Sequence, residues 1–298
     1  MKNNKIKQKF DPAVAIVFIL LLVYSIILGT LLLWGLFASL KTNMQFRRDP
    51  FGIPKGLPWK WEWKNYSNAF DYFRVKVGVG NNAHTVYLLE MFVYSVLYSV
   101  GCSFAATIVP CITGYMTAKY KFTFSKIVYT VVIVVMALPI IGSLPSEISV
   151  TKALNMYDTV WGVWLMKANF LGMYYLVFYA FFKGVSKEYY EAAILDGAGE
   201  FRIFASIISP LAGKVFLTVM LIKGIEFWND YQTPLIYMPS YPPVAYGLYL
   251  YSFSSENKTS WPPMKITGAM LMMIPTLTMF LIFQNKLVGN ISLGGVKE

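Results

Sequence analysis

The chain predicts an all-α membrane protein of about six transmembrane helices, and two observations carry that expectation. Of its 298 residues 56% are apolar and only 14% charged, where a soluble domain carries nearer a quarter. The apolar residues also gather into six runs long enough to cross a hydrocarbon layer of about 30 Å, which takes about 20 helical residues.

In order, the runs extend from Ala13 to Ser39, Leu88 to Ala118, Phe124 to Ile148, Thr159 to Lys183, Lys214 to Met238 and Met264 to Phe283. Lys2, Lys5, Lys7 and Lys9 precede the first run like the charged head of a signal peptide. That run exceeds the roughly 7 to 15 apolar residues of a cleavable segment, so it is expected to stay as a membrane helix. With the amino terminus in the cytoplasm, six spans return the carboxyl terminus to the same side. The four amino-terminal lysines and the turn from Lys119 to Lys126 favour that orientation, because short cytoplasmic segments carry an excess of Lys and Arg. The expected organisation is an amino-terminal helix with its outer loop (1–87), then a core transmembrane domain (88–298) containing a polar segment at 185–211.

The net charge of +11 would raise nucleic acid as a partner of a soluble chain. Here lysines flanking membrane spans account for it, no groove-reading motif is present, and no nucleic-acid partner is expected. Cys102 and Cys111 lie nine apart on one expected helix, on opposite faces, and cannot bridge each other. His84 is the only histidine, so no zinc set can be assembled with them, and no metal site is expected. Two outer loops are rich in aromatics: Trp59, Trp61, Trp63, Tyr66, Tyr72 and Phe73 in the first, Tyr241, Tyr246, Tyr249, Tyr251 and Trp261 in the last. An interfacial belt explains such residues in any membrane protein; a docking surface for an external protein is the sharper alternative.

Between the fourth and fifth runs the polarity changes. Ser186 is a good N-cap, and Glu188 and Glu191 place negative charge in the first turns of a helix continued by Ala192, Ala193, Ile194 and Leu195. Asp196-Gly197 marks a turn in which Gly197 can take positive φ. A second short helix is expected from about Glu200 to Ile208, stopped by Pro210. The product is a thin helix-turn-helix that another protein's backbone could approach closely.

At this spacing, Glu191-Ala192-Ala193, Asp196-Gly197-Ala198, Phe204, Ile207 and Pro210 resemble the EAA loop of binding-protein-dependent ABC importers. The likeness extends over nearly the whole chain and is nearest to the carbohydrate branch, the maltose-type second permease. Trp63-Lys64-Asn65-Tyr66 is similar to that branch's outer-loop motif, and Gly114-Tyr115 with Lys119-Tyr120-Lys121-Phe122 resembles its second inner turn. Trp228-Asn229-Asp230-Tyr231 with Pro234-Leu235 resembles its fifth span. Val185-Ser186 replaces the usual Ile-Pro, and Ser209 replaces the usual leucine before Pro210; both bear on the helix entry angle.

The resemblance implies a type I ABC importer permease fold in a bacterial cell membrane. It also implies four partner classes: a second permease subunit in a heterodimer, two ABC ATPase subunits, an extracellular solute-binding protein and membrane lipid. The chain has no GxxxxGK[ST] phosphate loop, so ATP and Mg would belong to the partner ATPase, with no cofactor bound here and no catalytic residue assigned. The 185–211 segment would dock into a groove on that ATPase, with Pro210 fixing how its motion enters the fifth span.

Lys167 in the fourth run and Lys223, Glu226 and Asp230 in the fifth are costly in lipid, at least about 2.5 kcal/mol each at mid-bilayer. Lys167 and Asp230 come to similar depth and are expected near enough to pair; Lys223 and Glu226, three apart, can pair on one helix face. Lys167, Glu226, Trp228, Asn229 and Asp230 are the candidate solute-pathway residues, and structural ion pairing is the competing reading. Two other functions remain open from sequence. An ABC permease for a non-sugar solute should lack the Trp-Asn-Asp-Tyr signature; an ion-coupled secondary transporter should show inverted repeats with matching broken helices.

Overall fold

A computed structural model describes residues 12–78, 83–120, 123–138, 142–253 and 261–291, with side chains placed to 284 in the last segment. Lys2, Lys5, Lys7, Lys9, Lys121, Phe122 and Lys258 lie outside the described residues. By contacts the chain forms two compact units.

The first unit comprises 1–72 and 252–271. Its long helix α1 (Pro12–Ser39) is apolar on every side, with a mean hydropathy of 2.9 in its best window, and nearly all of its side chains are exposed. A helix apolar all round and bare of protein is a lipid-facing span. Only its end is packed, where Gly35 lets Met270 approach and Asn65 bonds the Ser39 and Lys41 carbonyls at 2.7 and 3.0 Å. Tyr66 shares a 2.8 Å hydrogen bond with Ser39. The Trp63-Lys64-Asn65-Tyr66 signature is thus the clamp on the last turn of α1. Helices α2 (Asn43–Arg48) and α3 (Lys64–Tyr72) complete the loop, and α2 is opened by a capping box in which Thr42 and Gln45 satisfy each other's backbone. Trp61 and Trp63 donate to the Gly56 and Pro58 carbonyls, so these two aromatics brace their own loop.

The second unit comprises 73–251 and 272–298. The hairpin of β1 (Arg74–Val77) and β2 (His84–Tyr87) belongs to the second unit because Phe73 stacks on Tyr251 at 4.0 Å and Val75 and Val86 are buried. Helix α4 (Leu88–Lys119) follows directly and forms the spine of the unit.

The third and fourth runs are not single helices. The third divides into α5 (Thr123–Ala137) and α6 (Leu144–Ala153), the chain turning at Gly142 with φ +87°. The fourth divides into α7 (Val160–Lys167) and α8 (Met173–Gly184). Counting apolar residues cannot detect such interruptions, and the expected spans Phe124–Ile148 and Thr159–Lys183 are each corrected to a helix pair. The amphipathic segment supplies α9 (Glu188–Leu195) and α10 (Glu200–Ile203), a π turn at Phe204–Ile208, and α11 (Ser209–Asn229). Three helices remain: α12 (Gln232–Tyr237), α13 (Val244–Phe253) and α14 (Pro262–Ile291). Among the described residues, four helical stretches are long and apolar enough to cross a membrane: Pro12–Ser39, Leu88–Lys119, Glu200–Asn229 and Pro262–Gln284.

The sequence predicts that Pro210 stops the helix, but it instead enters the first turn of α11. The π turn makes this possible, since the Ser209 N–H reaches back five residues to Phe204 and the proline's missing donor falls where the ladder is already widened. The result is one helix of 30 residues, about 45 Å long, from Glu200 to Asn229.

Helix α4 packs against α8 and α11. Gly114 makes the first crossing close: a Cβ there would stand 2.9 Å from the Phe178 Cβ and 3.0 Å from the Tyr179 nitrogen. Phe178, Phe182, Ile203, Ala212 and Val219 fill the core beside it.

Candidate functional site

The polar segment at 185–211 is a two-faced structure. Its turn is a Schellman motif: the Ala198 N–H bonds the Ala193 carbonyl, the Gly197 N–H bonds that of Ile194, and Gly197 takes φ +74°. At its start the Ser186 hydroxyl accepts from the Glu188 N–H at 3.3 Å, capping the first turn, while Lys187 already has helical dihedrals.

The residues of the signature divide between the faces. Ala193, Ala198, Phe204 and Ile207 face the bundle and join the Phe178–Phe182 core; Phe204 lies 4.8 Å from the Tyr115 ring. Glu191, Ala192, Asp196 and Gly197 are exposed, and a Cβ on Gly197 would meet open space. Pro210 is exposed at the entry to α11. Sequence reasoning missed the apolar part of the outer face: Leu195 and Phe201 stand 88% and 83% exposed on either side of the turn, with Ile194 beside them. The signal available was a pair of large apolar residues bracketing Asp-Gly-Ala-Gly-Glu.

Sequence reasoning also missed Glu200 as a junction. Its carboxylate accepts from the Tyr120 hydroxyl at 2.5 Å and from the Tyr190 hydroxyl, and pairs with Lys119 at 3.3 Å. The Lys119 ammonium also rests 2.9 Å from the centre of the Tyr190 ring. Burial first, and then the Glu200 bond, holds the Tyr120 phenol above its ordinary range; the Glu200 bond is the main cause for Tyr190. Both tyrosines therefore remain donors, and the segment is tied to the end of α4.

Farther along α11 lie the intramembrane charges. Lys223 and Glu226 pair at 2.8 Å, as their spacing predicts. Lys167 and Asp230 form no direct ion pair: Lys167 donates to the Thr233 hydroxyl at 3.2 Å, and Asp230 accepts from the Thr233 N–H at 3.1 Å and from the fully buried Tyr98 hydroxyl at 2.8 Å. The chain leaves α11 at Asp230 and restarts in α12, so the carboxylate is occupied in capping that restart.

A cleft of about 400 Å³ opens beside the α7–α8 break, lined by Lys167, Lys223, Glu226, Asn169, Phe170 and Tyr174 among others. Pro110 and Ala106 of α4 also reach it. Non-helical backbone at membrane depth persists where it borders protein or a water-filled cavity, which is the position of Ala168–Gly172. Of the five candidate pathway residues, Lys167 and Glu226 line this cleft. Trp228 is buried and bonds the Met272 carbonyl, Asn229 bonds the Ile225 carbonyl of its own helix, and Asp230 accepts from Tyr98 without lining the cleft.

Four helical stretches long and apolar enough to cross a membrane, with a charged cleft at one helix break, mark a multi-span membrane protein. The chain belongs to the family of binding-protein-dependent transport system inner membrane components, whose profile matches residues 111–292. It is 23% identical over 278 residues to the diacetylchitobiose uptake system permease protein of Streptomyces coelicolor, covering 92% of this chain and 86% of that protein. It is 26% identical over 263 residues to a probable starch degradation products transport system permease protein of Thermoanaerobacterium thermosulfurigenes, covering 87% and 88%. A chain in the crystal structure of a bacterial ABC transporter involved in the import of the acidic polysaccharide alginate shares the fold. The TM-score is 0.72 at 17% identity, over 94% of this chain and 99% of that one.

Proposed function

We propose that this chain is a permease subunit of an ATP-driven importer of sugars or oligosaccharides, with both termini in the cytoplasm. The uptake of oligosaccharides named for its relatives supports the solute class. In this reading a solute-binding protein delivers the sugar from outside. A second permease completes the pathway, and two ABC ATPase subunits bind ATP and Mg and hydrolyse the nucleotide; the chain itself is not an enzyme.

The observation that carries the reading is the two-faced segment at 185–211. Its inner face is locked into the core and its outer face offers Leu195 and Phe201 around a turn with no side chain at Gly197. Exposed apolar anchors around a thin turn suit a protein groove. Because Glu200 begins the same unbroken helix that carries Lys223, Glu226 and Asn229, rotation of the docked segment reaches the cleft as a rigid-body movement. In the cleft, Glu226 offers acceptors for sugar hydroxyls and Phe170 and Tyr174 offer flat apolar faces.

The test is to replace Gly197 by Trp, and separately Leu195 and Phe201 by Ser, in the complex co-expressed with its ATPase. Loss of ATPase co-purification, with the permease still folded and in the membrane, is the expected result. Undiminished association and solute-stimulated ATP hydrolysis in both variants would overturn the docking role.

A further inference from the structure

Beneath the docking segment lies a second, larger cavity of about 960 Å³, between that segment and the ends of α4, α5 and α8. Lys126 from the first turn of α5, Lys183 from the last turn of α8 and Lys187 at the start of α9 all line it. Lys119 lines it too, but is paired with Glu200. None of the other three has a carboxylate within ion-pair distance among the described residues, and Glu191 is the one acidic side chain on the described wall.

We infer that this cavity binds the phosphate of an anionic phospholipid headgroup. Three exposed lysines from three separate elements line one space, large enough for a glycerophosphate group. Lysines that merely flank spans splay outward into water or snorkel independently; these share a wall. The cavity sits at the termini of the apolar helices α5 and α8, and Tyr179 and Tyr190 line it with rings of the kind that settle at headgroup level. Basic pockets between membrane helices at this depth recognise anionic lipid heads. The inference does not depend on the solute or on the ATPase. Bound there, the phosphate would bridge α5, α8 and the segment at 185–211, so lipid charge would bias how that segment is held.

Native mass spectrometry of the complex, extracted from membranes containing phosphatidylglycerol and phosphatidylcholine, tests it. The wild type is expected to retain phosphatidylglycerol selectively, weakened about fivefold for each lysine removed in K126Q, K183Q and K187Q. A charge-matched control, K60Q/K64Q/K76Q on the outer loop, should retain it as the wild type does. A measurement on the unmodified chain runs in parallel: acetylation of Lys126, Lys183 and Lys187 should slow in phosphatidylglycerol nanodiscs relative to phosphatidylcholine ones. Equal retention in the cavity variants, equal loss in the control, or acetylation indifferent to lipid charge would each overturn the assignment. So would protection by millimolar inorganic phosphate with no lipid retained, which would give the cavity to a soluble anion.

Discussion

Helix α4 and the continuous helix from Glu200 to Asn229 run antiparallel and are tied near both ends in the same way, by a carboxylate at either end of the second accepting hydroxyls that belong to or follow the first. At one end Glu200 holds Tyr120 and Lys119; at the other Asp230 holds Tyr98. Between them the helices touch through rings such as Phe104 and Phe216. The surroundings differ. The Glu200 side chain is 55% exposed, whereas the Tyr98 hydroxyl that Asp230 accepts belongs to a fully buried side chain. The same bond therefore does different work: in the buried end its loss leaves a polar group stranded, and in the wet end water replaces it at little cost. One end fixes the fold and the other fixes a position.

The largest effect should follow Asp230→Leu. Tyr98 and the Thr233 N–H lose their acceptor, at about 1–3 kcal/mol for each buried group left without one. A clear fall in the melting temperature of the purified complex is expected, with Asp230→Asn recovering most of it because the amide oxygen still accepts. Equal losses in both variants would show that charge, rather than hydrogen bonding, matters at this end.

Gly114→Val comes next. It places a branched side chain where even a Cβ lies 3.0 Å from the Tyr179 backbone nitrogen, so α4 and α8 must separate. Overpacking of this kind costs about 1–3 kcal/mol. If the melting temperature stays at the wild-type value, the crossing is looser than the contact distances indicate.

Gly197→Ala is smaller and of another kind. The added methyl meets open space, and the expected cost of about 1–2 kcal/mol is the left-handed backbone of the Schellman turn. Comparing it with Gly197→Trp separates strain from obstruction. Alanine should lower stability and leave ATPase association largely intact, whereas Trp should block association.

These sites also show what the sequence could convey. The Asp196-Gly197 turn was legible because positive φ has a residue preference, and the Lys223–Glu226 pair because three positions apart is one helix face. The breaks within the third and fourth runs were hidden because hydropathy reports transfer to lipid and is blind to backbone direction; Asn169 and Gly172 are too few to interrupt an apolar average. Lys167 and Asp230 each bond Thr233 rather than one another, because counting residues along two helices does not give azimuth. Glu200 was read only as the start of a helix because its partners, Lys119 and Tyr120, lie about 80 positions earlier in the chain.

Glu200→Gln sharpens the comparison from its weaker side. The substitution keeps an oxygen for one tyrosine and removes the charge that holds Lys119 and both phenols together. Water can satisfy each group left behind, so the melting temperature should barely move. The positional effect should still be measurable: amide hydrogen exchange across 188–203 should quicken while exchange in the α11 core stays slow, since local opening is governed by local contacts. If the segment docks on an ATPase as proposed, solute-stimulated ATP hydrolysis should fall more than basal hydrolysis, because a segment that swivels there would transmit less rotation to α11. Unchanged exchange and unchanged stimulation would mean that the inner-face packing of Ala193, Phe204 and Ile207 holds the segment unaided. The two ends of the α4–α11 pair would then differ in purpose as well as in exposure.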